Sequence, residues 1–158
     1  MQGLVLMNQI HGNNVVVVGN DDIGKTISDC DGLITSDCDI TLCVKVADCL
    51  PISLIDKKSH TIGLIHAGWR GLENKIIKNA IKIIGNNIEV KIGPHICSKH
   101  YETDLVKIAL TQLIELGVKK ENIKVSKKCT FEDPKLPSYR RDRTNERLIV
   151  KLKFNPRG

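Results

Sequence analysis

Aromatic side chains are scarce here: two Tyr, two Phe and one Trp make up 3% of the chain. Surfaces that read nucleic acid interleave cations with aromatics on which bases stack. A net charge of +6 therefore points to a solvated basic face that attracts phosphorylated small molecules, and no nucleic-acid partner is expected. Long apolar runs are missing as well. No stretch approaches the roughly 20 residues of a membrane span, and Leu4 to Met7 is too short for the apolar region of a secretory leader, so no membrane association is expected. The six cysteines, at positions 30, 38, 43, 49, 97 and 129, form no CxxC pair and no zinc-finger spacing. That argues against a structural zinc module and for free thiols in a reduced, cytoplasmic setting.

What remains is a globular composition, 41% hydrophobic and 27% charged over 158 residues, enough for one domain with its own core. No repeat, low-complexity tract or linker divides it, so residues 1–158 are read as one domain. Short apolar runs at Leu4–Met7, Val15–Val18, Gly32–Ser36, Ile40–Ala47, Leu50–Asp56, Thr61–His66, Ile88–Ile92, Asn122–Val125 and Leu148–Phe154 read as strands. Two segments carry a helical stripe. Leu72–Ile84 has apolar residues at 72, 76, 77, 80, 83 and 84 and stops at Gly85; Thr103–Leu116 is capped by Thr103 or Asp104 and ends at Gly117.

The organising stretch is Ile62 to Leu72, I-G-L-I-H-A-G-W-R-G-L. An apolar strand ends in His66, turns through Gly68 and Gly71, and opens a helix, a layout that brings backbone N–H groups and Arg70 to one spot suited to an anion. Leu50–Asp56 and Thr61–His66 read as a hairpin across the polar turn Lys57–His60. The return of the hairpin then brings Cys49, just before one arm, to the same end of the sheet as His66 in the other. Taken singly, His66 is an ordinary buried histidine and Cys49 a small hydrophobe. Taken together with His11, in the turn N-Q-I-H-G-N-N, they offer two imidazoles and one thiolate with an open fourth position, the pattern of a catalytic zinc site. The same donors suit copper. A metal-free reading stays open: Cys49 as nucleophile, His66 as its base, and Asp48 orienting a partner. Tyr139-Arg140-Arg141-Asp142 adds a phenol and paired guanidiniums able to clamp a phosphate or carboxylate. The loop Gly93–Glu102 holds His95, Cys97 and His100, and Cys129-Thr130-Phe131 follows the strand at 122–125.

N-Q-I-H-G-N-N-V, D-G-L-I-T-S, V-A-D-C-L-P-I, H-A-G-W-R-G, G-P-H-I-C-x-x-x-Y-E and S-Y-R-R-D, in this order, resemble the laccase-domain family. Its members are also called multicopper polyphenol oxidase-like proteins and bacterial-type purine nucleoside phosphorylases. The resemblance runs from about Gln9 to Phe154. It implies an α+β fold, a layered and mostly antiparallel sheet core flanked by helices, similar to certain toxin deamidases that use a Cys–His pair. It also implies a zinc enzyme that cleaves adenosine, inosine, guanosine or methylthioadenosine with phosphate and can deaminate adenosine, with His11, Cys49 and His66 as metal ligands. Arg70, Tyr139, Arg140 and Arg141 are assigned to substrate or phosphate from their chemistry, and Cys49, His66, Asp48 and Arg70 to catalysis. Other readings attached to the resemblance are copper-dependent phenol oxidation, a Cys–His amidase, editing of peptidoglycan precursors, and an inactive, shortened binding protein. Against the family pattern, the chain starts almost at the first motif, and the stretch between Tyr101-Glu102 and the following helix is short.

Overall fold

The computed structural model describes residues 3–157. Ten strands and four helices follow the chain: β1 (Leu4–Met7), β2 (Val15–Val17), β3 (Thr26–Ile27), β4 (Gly32–Thr35), β5 (Thr41–Val46), β6 (Leu50–Asp56), β7 (Thr61–Ala67), α1 (Trp69–Glu73), α2 (Ile76–Ile84), β8 (Glu89–Ile92), α3 (Leu105–Glu115), β9 (Ile123–Val125), α4 (Tyr139–Asp142) and β10 (Leu148–Lys153). They form a four-stranded sheet, ordered β10-β5-β1-β3, and a six-stranded sheet, ordered β2-β4-β7-β6-β8-β9. The long ladders β5–β10 and β6–β7 are antiparallel. The parallel pairings, β1 with β3 and β5, β2 with β4, and β8 with β9, are two or three residues long.

The central strands β4, β6 and β7 of the six-stranded sheet are buried on both faces, which is why they read as nearly unbroken apolar runs. Along β7 successive side chains alternate between two cores. Ile62 and Leu64 join Val5, Leu42 and Val44 from the second sheet. Ile65 and Ala67 join Leu72, Ile76, Ile77 and Ala80 from the helices. The layers are thus sheet, sheet, helices, an α+β architecture, and the central hairpin belongs to both cores.

The helix expected over Leu72–Ile84 is broken in two. Lys75 adopts a left-handed conformation (φ 65°) between α1 and α2. Asn74 donates through Nδ2 to the Arg70 carbonyl, and Gln112 of α3 donates through Nε2 to the Leu72 carbonyl, so side chains satisfy the freed end of α1. The break rotates the stripe: Ile81 is buried, and Ile83, expected inside, is exposed. On α3 the cap is Asp104, whose carboxylate accepts from the Lys107 N–H. Pro51, expected at an edge or kink, lies in the sheet interior, opposite His66 of β7. Its carbonyl accepts the Gly93 N–H at 2.9 Å, and the Gly93 carbonyl, left without a proline N–H, accepts from His95 Nδ1 at 2.8 Å instead.

Candidate active site

The β6–β7 hairpin forms with Leu50 opposite Ala67 and Pro51 opposite His66. Cys49, one residue before β6, therefore reaches the end of the sheet where His66 emerges. His11 arrives from the connection between β1 and β2, which crosses from one sheet to the other. In that connection His11 itself takes a positive φ (58°). Its ring meets the ring of His66 edge-on, with centroids 4.8 Å apart. The coordinating atoms of His11, Cys49 and His66 all lie within 4.8 Å of one another.

Two features that hold this trio are not evident from residue spacing. The first is Asp31, which is fully buried. Its carboxylate accepts the N–H groups of Ile10, His11 and Gly12 at 2.9–3.1 Å. It also accepts a hydrogen bond from His66 Nδ1 at 2.6 Å. A carboxylate there accepts only, so Nδ1 carries a proton and Nε2 faces the trio, able to bind a metal when deprotonated or to donate to a Cys49 thiolate when protonated. Asp31 lies in the motif D-G-L-I-T-S, and the signal that could have found it is an aspartate heading a buried strand. The second is Gly68. A Cβ at that position would lie 2.9 Å from Cys49 Sγ. Its φ of −92° is open to any residue, so this glycine provides room for the sulfur, not a special turn.

The electrostatics follow from this packing. Burial pushes the Cys49 thiol up, but hydrogen bonds and charge from His11 and His66 outweigh it and hold the thiol at about 7. Burial pushes the His66 imidazole down, but the Asp31 hydrogen bond, with that of Cys49, outweighs it and raises the ring to about 9. Without metal these shifts favour a thiolate–imidazolium pair above about pH 7. With metal the donor set fits a cation: two imidazole nitrogens and one low-pKa thiolate leave one position open, the arrangement of catalytic zinc.

Two clefts, of about 230 and 250 Å³, share His11, Cys49 and Tyr101 in their walls. Trp69 and Arg70 line the first; Asp48, Tyr139, Arg140 and Arg143 line the second. Arg70 is exposed, with its guanidinium 5.4 Å from the Trp69 ring. The helix start expected to favour an anion is the five-residue α1, too short for a sizeable macrodipole, so Arg70 itself supplies the charge there. Tyr101 and Arg143 were not among the candidates from sequence.

Asp48 lines the second cleft with both carboxylate oxygens engaged. One oxygen accepts from Thr130 Oγ1 (2.7 Å) and the other from the Arg140 N–H (2.8 Å), so Asp48 ties the C-terminal segment to the cleft. The arginine clamp expected from R-R does not form, because successive residues on the short α4 diverge. Arg140 stacks over Tyr101 at 5.3 Å and pairs with Glu102 at 2.8 Å, at the cleft. Arg141 turns away and donates to the carbonyls of Thr130, Phe131, Asp133 and Leu136. Its work is to fold the 130–136 loop.

A family model described as multi-copper polyphenol oxidoreductase laccase matches residues 1–104 and 98–150. The two matches overlap over residues 98–104, just before α3. A purine nucleoside phosphorylase of Campylobacter jejuni is 34% identical over 174 residues, covering 92% of this chain and 74% of its own. That alignment is longer than the present chain, so the relative carries insertions within the matched region. Another, from Rickettsia prowazekii, is 38% identical over 107 residues, 65% of this chain and 44% of its own. Among solved structures, the crystal structure of YlmD from Geobacillus stearothermophilus superposes with a TM-score of 0.92 at 26% identity, covering 96% of this chain and 73% of that one. With the family's motifs gathered around one cleft and the match running over nearly its whole length, the chain belongs to the multi-copper polyphenol oxidoreductase laccase family.

Proposed function

We propose that the protein is a metal-dependent purine nucleoside phosphorylase, with zinc at His11, Cys49 and His66. The observation that carries this reading is the convergence of those three donors at the junction of two clefts, one lined by Arg70 and the other by tyrosines and arginines. The names of the relatives from Campylobacter and Rickettsia agree with it. Purine nucleoside and phosphate are then the substrates.

Each residue has a task that its chemistry suits. Arg70, exposed beside Cys49, is a guanidinium able to hold phosphate bidentately. Tyr101 and Tyr139 offer ring faces on which a purine stacks, and Arg140 and Arg143 reinforce that wall. Phosphate held at Arg70 attacks C1′ of the ribose as the C–N bond breaks and the base leaves with its electron pair. Holding the two reactants in adjoining clefts is itself a large part of the rate enhancement. Zinc held by His11, Cys49 and His66 would supply Lewis-acid polarisation, and the same site would then suit deamination of adenosine.

A second reading, a metal-free Cys–His hydrolase, draws on the thiolate–imidazolium pair of Cys49 and His66. Base release from inosine and adenosine, measured with and without phosphate and with and without a chelator, separates the readings. Phosphate-dependent release, abolished by the chelator and restored by zinc, is expected. Phosphate-independent release overturns phosphorolysis, and chelator-resistant turnover lost in Cys49→Ala overturns the metal.

A further inference from the structure

A second group of soft donors lies on the far side of Asp48, in loops that the proposed function leaves unused. Cys97 follows β8, and Cys129 follows β9. The two loops run side by side as extensions of the parallel β8–β9 pair, with His95 bridged to Cys129 and the Thr130 N–H on the His95 carbonyl at 2.9 Å. This brings two unbridged thiols together, one buried and one half-buried. The Cys97 N–H donates to Cys129 Sγ at 3.2 Å. Cys97 Sγ lies 3.7 Å from Glu132 Oε1, and that oxygen accepts from His100 Nε2 at 3.0 Å. Stacking on Phe131, with ring centroids 4.3 Å apart, orients the imidazole.

We propose that Cys97, Cys129, Glu132 and His100 form a second metal site, closed and structural, for a thiophilic divalent cation of the zinc class. The donor atoms of Cys97, Cys129 and Glu132 already lie within 4.8 Å of one another. Two thiolates bound at about 2.3 Å in a tetrahedron stand roughly 3.8 Å apart, so a cation would draw these three donors in only slightly. His100, whose Nε2 lies 3.0 Å from Glu132 Oε1, would turn from that oxygen to the cation to complete the set. Two sulfurs, one carboxylate oxygen and one imidazole nitrogen make four protein ligands, the count that leaves no open position and marks a structural role. The two sulfurs disfavour magnesium and calcium. The same loops bind Asp48 through Thr130 Oγ1 and the Ile96 N–H, and they lead into Tyr101. An ion here would staple together the wall that carries Tyr101 and Asp48 beside Cys49.

The test is metal content of the whole chain, prepared under reductant, stripped and refilled with zinc. Wild type, His66→Ala, Cys97→Ser/Cys129→Ser and Glu132→Gln/His100→Gln are compared. Two zinc ions are expected in wild type and one each in His66→Ala and Cys97→Ser/Cys129→Ser. With cobalt in place of zinc, thiolate-to-metal absorption is expected to fall to about one third in Cys97→Ser/Cys129→Ser, as three thiolate ligands become one. The Glu132→Gln/His100→Gln variant alters side chains that are 49% and 30% exposed, so little loss of thermal stability is expected and is checked alongside the metal content. It is expected to weaken the second zinc at least about tenfold. A single zinc in wild type that disappears in His66→Ala overturns the proposal. So does a second zinc unaffected by the changes at 97, 129, 100 and 132, or a Cys97–Cys129 disulfide that persists under reductant. Failure of the first site shows separately, as zinc content unchanged by His66→Ala.

Discussion

The Asp31 carboxylate holds His66 Nδ1 at 2.6 Å while it also binds the backbone N–H groups flanking and including His11. One buried acid thus sets the tautomer of one proposed ligand and the position of another. Asp31→Asn keeps the shape but removes the charge and the acceptor-only character, and it is expected to lower zinc affinity about 10- to 100-fold. Asp31→Ala leaves buried N–H groups without partners and is expected to cost about 3 kcal/mol of stability. Chelator competition and urea denaturation measure the two effects, and zinc affinity unchanged in Asp31→Asn would remove Asp31 from the site's support.

Gly68→Ala tests the space reserved for sulfur. The new methyl would meet Cys49 Sγ at 2.9 Å, while the backbone there already suits alanine. The expected outcome is a folded protein with reduced zinc content and little loss of thermal stability. A normal zinc content would show that the thiol can yield without cost.

The reactivity of Cys49 in metal-free protein should depend on pH in a particular direction. Its thiol is held at about 7 against an ordinary 9.0, so the thiolate is present above about 7 and is lost as pH falls through that value. Alkylation followed at the Cys49 peptide is expected to rise through about pH 7. In His66→Ala the step is expected to move upward, toward the ordinary thiol value, because the imidazolium that favours the thiolate is gone. Buried Cys30, raised to about 11, does not compete. A step that stays put in His66→Ala would show that His11 alone sustains the thiolate.

The neighbouring arginines should separate cleanly. Arg141→Lys cannot reproduce the fork that binds four carbonyls and is expected to cost about 2 kcal/mol of stability. Arg140→Ala is expected to leave stability nearly unchanged, since its pair with Glu102 is largely exposed, and to raise the KM for nucleoside. The opposite pattern would return Arg141 to the cleft.

Periodicity and turn chemistry were enough for most of the fold. β6 runs over Leu50–Asp56 and α3 is capped by Asp104, both as alternation and capping predict, because these depend on residues near in sequence. The split at Lys75 escaped that reading. A lysine has no local preference for a left-handed φ, and the end of α1 is held by Gln112, 40 positions beyond the Leu72 carbonyl it binds. The hairpin likewise made the approach of Cys49 to His66 legible, since an antiparallel return is local geometry.

The sequence by itself determined most of the elements, the donor types and the meeting of Cys49 with His66. Only the tertiary structure decided how the site is held and what each charge does. Asp31 is bound to His66, 35 positions on, and Asp48 to Arg140, 92 positions on. Adjacent Arg140 and Arg141 part company because a short helix sends one side chain to the cleft and the other to a loop. Such roles depend on which distant backbone groups are left without partners once the layers have packed. Burial makes an unsatisfied polar group costly, and that cost arises only when strands far apart in sequence have come together.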